Sequence, residues 1–124
     1  MTTTHARDVA NSFLEAFSQR DYDRIAATFT EDGRLRGLVP PGLREADGRE
    51  AIAERFRIWN EAEDWELLES ETEDLADIVK LRWRVASTDP ELGRTVYEQT
   101  AYAEIHDGGI AWMNLVCSGD RRAD

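Results

Sequence analysis

The sequence is poor in the residues that build covalent and metal frameworks: among 124 residues it has one cysteine, two histidines and three prolines. A lone thiol, Cys117, excludes an internal disulfide, and no cysteine or histidine cluster has the spacing of a zinc site, so neither metal nor cofactor is expected. Long apolar runs are missing too. No stretch of 18 apolar residues is present, and the opening Met-Thr-Thr-Thr-His-Ala-Arg lacks the apolar segment of a secretory signal, so the reading is a cytoplasmic protein with no membrane partner. Positive charge is scarce. Fifteen Lys and Arg against 26 Asp and Glu leave a net charge of −11, with the arginines scattered, which excludes the basic face that nucleic acid requires.

What is present suffices for a core. One domain spanning residues 1–124 is expected, and area scaling lets such a chain bury roughly two-thirds of its unfolded surface, about 14,000 Å². Acids crowd one place, nine of the 17 residues from Glu61 to Asp77, with no Lys or Arg among them. A solvated strand face paired with a basic neighbour accounts for such a run.

The stretch from Phe29 to Trp59 organises the chain. It reads as a short strand, a bend at Pro40-Pro41-Gly42, and an amphipathic helix capped by Asp47 with Glu50 three residues on. In the strand Leu35 and Gly37 share one face, and Arg34 and Arg36 the other. In the helix Ile52, Phe56 and Trp59 recur along one stripe. Before it, residues 4–19 predict a helix with Thr4 as cap and Val9, Phe13, Ala16 and Phe17 on one stripe. A second, short helix capped by Asp21 turns Tyr22, Ile25 and Phe29 inward.

After Trp59 the apolar period drops to two. Residues 65–73 and 78–86 predict a hairpin about Asp74-Leu75-Ala76-Asp77, with Glu71 opposite Lys80, Glu69 opposite Arg82 and Leu68 opposite Trp83. The next strand, 94–105, has Tyr97, Gln99, Ala101, Ala103 and Ile105 on its more apolar, buried face. His106-Asp107-Gly108-Gly109 turns the chain into a last strand, 110–118. A two-residue loop there sets Trp112 and Asn114 beside Ala103 and Ala101, whereas a three-residue bulged loop sets Met113 and Leu115 there, and both registers stay open. Residues after Gly119 read as a charged, frayed tail.

The order of these elements, with Phe29-Thr-Glu-Asp-Gly33 at the first strand, Gly48-Arg-Glu-Ala-Ile52 at the third helix and Asp107-Gly-Gly-Ile110 at the last hairpin, resembles the nuclear transport factor 2-like superfamily. Within it the chain is similar to SnoaL-like polyketide cyclases and ketosteroid isomerases, over about Val9 to Ser118. The resemblance implies an α+β fold in which three helices pack in a strongly curved, mixed or antiparallel sheet forming a cone-shaped barrel. It also implies a pocket for a small apolar, polyketide- or steroid-like molecule and a homodimer formed through the outer sheet face, which here carries Thr100 and Tyr102. Ketosteroid isomerases of this family use an Asp base with a Tyr and a protonated Asp as oxyanion hole. The resemblance sets those positions on Gly37, Phe13 and Ala101, and supporting tyrosines on Phe29 and Phe56. An Asp of the related epoxide hydrolases falls on Leu115. Neither mechanism carries over.

Candidate ligand-lining residues are Phe13, Phe17, Phe29, Phe56, Trp59, Trp83, Tyr97, Gln99 and Met113, with complete filling of the core by the same rings as the competing reading. Tyr97, Gln99 and Asn114 are the candidates for catalysis, because a buried hydroxyl or amide needs a partner, which is a ligand, a backbone group or water. Three functions remain open at this level: an isomerase, cyclase or dehydratase, a non-catalytic binding protein, or an assembly module. Cys117, His5 and His106 read as structural or solvated.

Overall fold

The computed structural model describes residues 6–61 and 64–122. The expected helix cap Thr4, and His5, lie outside them. The elements run α1 (Ala6–Ser18), α2 (Tyr22–Thr28), β1 (Phe29–Val39), β2 (Gly42–Asp47), α3 (Arg49–Trp59), β3 (Glu66–Leu75), β4 (Ile78–Asp89), β5 (Gly93–His106), β6 (Gly109–Cys117) and β7 (Arg121–Arg122). The fold is α+β, three helices on a mixed sheet of order β2-β1-β6-β5-β4-β3, with β7 added to β5. Only β1 and β6 run parallel; every other pair is antiparallel.

The expected closed barrel does not form. The sheet ends at β2 on one side and β3 on the other, so it stays open. Both edges suit exposure: β2 has six residues, and β3 carries Glu66, Glu69, Glu71, Glu73 and Asp74, charge that discourages further strand pairing. Helix α1 packs on β3 and β4, and α3 on β1 and β2, so helices rather than a closing strand cover the apolar face.

Asp21 caps α2, its carboxylate accepting from the Arg24 amide at 3.1 Å. Asp47 does not cap α3. It is the last residue of β2, where Arg34 approaches its carboxylate at 3.5 Å, and the cap is Gly48 at φ 91°, whose amide donates to the Gly33 carbonyl at 2.7 Å. Strand β2 was hidden because Leu43-Arg-Glu-Ala-Asp47 alternates only weakly and ends in what looks like a capping box. Once Pro40 and Pro41 make the turn, it folds back on β1 from Val39↔Gly42 to Arg34↔Asp47.

Two registers depart from the sequence reading. In the β3–β4 hairpin the turn is Ala76-Asp77, with Ala76 at φ 53°, so Glu71 faces Arg82 and Ser70, not Leu68, faces Trp83. The slip of two residues keeps the faces from Glu69 to Leu75, while a bulge between Leu67 and Glu69 reverses them for Glu66 and Leu67, and the ion pairs change: Arg82 bonds Glu71 at 3.0 Å, Glu69 at 3.1 Å and Glu98 at 3.2 Å. Hydrogen bonds from Arg82 hold the Glu71 carboxyl below its usual range, and those from Arg84 do so for Glu98. At the last hairpin the loop is two residues, Asp107-Gly108, both with positive φ. A β-bulge then pairs Glu104 with Trp112 but Ile105 with Ile110, so the extra residue reverses the facing and puts Met113 beside Ala103 and Leu115 beside Ala101. Neither simple loop described it. The presumed tail is also ordered further: Arg121 and Arg122 pair with Val96 and Thr95.

Candidate functional site

The aromatic side chains expected to line a pocket divide into two groups. Phe13, Phe17, Phe29, Phe56 and Trp83 are sealed in the core along with Met113. Their rings fill it by mutual contact, Phe13 lying 5.3 Å from Phe56 and 5.7 Å from Trp83, and Phe17 lying 5.6 Å from Trp83, centroid to centroid. Trp59 differs. It ends α3, stays partly exposed, stacks edge-on against Phe56 at 5.5 Å, and borders a cavity of about 350 Å³.

That cavity is walled by Val39, Pro40 and Pro41 of the β1–β2 turn, Trp59, Tyr97 and Gln99 of β5, and Cys117, Gly119 and Asp120 at the end of β6. Sequence reasoning identified Trp59, Tyr97 and Gln99. It missed the wall made by Cys117 to Asp120, because that segment is held in place by tertiary contacts: Ser118 bonded to the Glu98 backbone, the β7–β5 pairing, and Gly119, at φ 80°, passing over Pro40. Cys117 is half-buried rather than sealed, and its sulfur accepts from the Gly119 amide at 3.4 Å. Asn114 is a correction: the bulge turns it to the outer face, exposed and opposite Tyr102, so it is no candidate for the site.

Gly37 explains how Trp59 sits. A Cβ at Gly37 would stand 2.9 Å from the far edge of the Trp59 ring and 3.2 Å from Leu115, so the indole occupies the space that any larger residue there would need. The position to which the resemblance assigned a catalytic base is therefore covered by an indole edge. Phe13 and Ala101, at the oxyanion positions, are wholly enclosed and offer no polar group.

Two hydrogen bonds, one buried and one partly buried, support the polar part of the wall. Trp83 donates its indole N–H to Gln99 Oε1 at 2.9 Å, and Tyr97 donates its hydroxyl to Asn60 Oδ1 at 3.1 Å. Asn60, missed in the sequence, lies just past α3, 6 % exposed; its Nδ2 donates to the Phe56 carbonyl and its own carbonyl accepts from Trp65 Nε1. Burial, with Cys117 and Asp120 adding to it, pushes the Tyr97 hydroxyl far above the ordinary phenol range, so it stays neutral. Asp120, exposed at the rim, is the only carboxylate on the cavity wall among the described residues. The arrangement can hold and orient a neutral molecule.

Comparison with known proteins agrees with this fold. The family model of the SnoaL-like domain matches residues 10–113. No curated protein sequence matches the chain. Among solved structures, a candidate polyketide cyclase of Xanthomonas campestris pv. campestris is 22% identical with a TM-score of 0.69, covering 90% of this chain and 88% of that one. A protein of ketosteroid isomerase-like fold from Catenulispora acidiphila, crystallised with trimethylamine, is 13% identical with a TM-score of 0.72, covering 92% and 85%. A nuclear transport factor 2-like protein of unknown function from Cytophaga hutchinsonii is 14% identical with a TM-score of 0.65, covering 92% and 90%.

Proposed function

The chain belongs to the SnoaL-like domain family, and from that premise we propose that it holds a small, largely apolar molecule in the cavity between Trp59, Tyr97 and Cys117. The observation that carries this reading is the contrast between a filled aromatic core and the recess bordered by Trp59, in which apolar walls surround a few hydrogen-bonding groups. The bound trimethylamine of the Catenulispora structure supports small-molecule capture as within reach of the fold. The ligand-binding residues carried forward are Trp59, Tyr97 and Gln99.

A cyclase or isomerase reading keeps one specific support, Asp120, the carboxylate on the wall. One pair of measurements separates the two. The neutral dye N-phenyl-1-naphthylamine is expected to brighten on binding, with affinity reduced about tenfold in Trp59→Ala; a dye signal indifferent to Trp59 would remove the pocket reading. Deuterium exchange next to the carbonyl of 1-tetralone, followed by NMR, is expected to run no faster than in buffer. Exchange accelerated by the protein and abolished in Asp120→Asn would replace the binding reading by the enzymatic one.

The same family reading supports a homodimer through the outer sheet face. There Leu43, Leu38, Val116 and Thr100 lie in one cross-strand row, and Leu43, Leu38 and Val116 are each more than half exposed. Apolar residues beside polar ones suit a mixed interface. Sedimentation at micromolar concentration is expected to give twice the chain mass, and Val116→Glu to give the monomer; a monomer at every concentration would exclude the assembly.

A further inference from the structure

The polarity of the cavity wall is fixed by groups behind it. An indole nitrogen can only donate, so Trp83, wholly enclosed, turns the oxygen of the Gln99 amide toward itself. The amide nitrogen is left over. Gln99 is 6 % exposed, and its Nε2 has no acceptor among the described residues. Yet the only fully enclosed side-chain nitrogen or oxygen without a partner among those residues is Arg49 Nε, so the Gln99 nitrogen is not sealed off: it opens on the cavity that Gln99 lines.

The second group has the opposite polarity for a similar reason. Asn60 spends its Nδ2 on the Phe56 carbonyl at 2.8 Å, which leaves Oδ1, an acceptor only, facing Tyr97. The one hydroxyl proton of Tyr97 goes to that oxygen. Toward the cavity Tyr97 can therefore only accept. Tyr97 and Gln99 are two residues apart on one face of β5, which separates them by roughly 7 Å along the strand.

We propose that the cavity selects a hydroxy-ketone: an apolar body with a carbonyl oxygen at one edge accepting from Gln99 and a hydroxyl at the other donating to Tyr97. This rests on the cavity being a ligand site, as read above. A donor on the Gln99 side, or an acceptor on the Tyr97 side, would leave like groups facing each other, and binding one orientation over its reverse follows from that mismatch.

The test is a series of bicyclic probes of one shape, tetralin, 1-tetralone, 5,6,7,8-tetrahydro-2-naphthol and 6-hydroxy-1-tetralone, each measured by displacement of N-phenyl-1-naphthylamine. The expected order is 6-hydroxy-1-tetralone tightest and tetralin weakest, with each polar group adding about three- to tenfold. In Tyr97→Phe the gain from the hydroxyl should vanish while the gain from the ketone persists, and in Gln99→Met the reverse should hold. Should Gln99→Met fail to fold, the wild-type series with Tyr97→Phe decides the matter. Equal affinities across the four probes would overturn the hydroxy-ketone assignment while leaving the pocket intact. Absence of binding by the dye and every probe would overturn both.

Discussion

Trp83→Ala is expected to lower stability by about 3 to 5 kcal/mol, the range for emptying a large, well-packed aromatic site. Trp83 is wholly enclosed, lies 5.7 Å from Phe13 and 5.6 Å from Phe17 between ring centroids, and gives Gln99 its buried donor. Deleting it therefore opens a cavity between α1 and β4 and strands the Gln99 oxygen. Against a total stability of about 5 to 15 kcal/mol for a small domain, that is enough to unfold a large fraction of the chain on modest warming. Urea unfolding followed by far-UV circular dichroism measures it, with Trp83→Phe as the comparison that keeps most of the volume. A loss under about 1 kcal/mol for the alanine variant would mean that the core around Trp83 is not packed as described.

Gly37→Val is expected to be the most damaging change at the cavity. The first added carbon already stands 2.9 Å from the Trp59 ring and 3.2 Å from Leu115, and valine adds two more. Because the contact is with the end of a rigid indole, the whole ring must swing, and the cavity it now borders is open to it. Overpacking of this kind costs about 1 to 3 kcal/mol, partly offset because a strand interior prefers valine to glycine. Binding should suffer more than folding, with dye affinity falling about tenfold or more. Combining it with Trp59→Leu should recover much of the stability, since the two changes share one contact. Independent, additive effects would show that Trp59 does not rest on Gly37.

The sequence by itself determined the three helices, the strands β1, β3, β4, β5 and β6, their order and most of the buried faces, but not β2 or β7. Ile52 and Phe56 on α3, Leu35 and Gly37 on β1, and the odd positions of β5 all lie where simple periodicity put them, because those patterns are set by the 3.6- and 2-residue repeats of local backbone geometry. Asp21 was legible as a cap for the same local reason. What tertiary structure decided were features that depend on two distant segments at once. The bulge at Ile105 and Trp112 chooses Met113 and Leu115 over Asn114 because β6 must also run parallel to β1, with Leu35 beside Met113 and Gly37 beside Leu115. The open sheet follows from edge strands whose charge and shortness are visible locally but whose failure to meet is not. The cavity itself is built from the ends of elements, the β1–β2 turn, the last turn of α3 and the Cys117–Asp120 segment. No periodicity marks such ends, and their meeting in one place is a property of the packed chain alone.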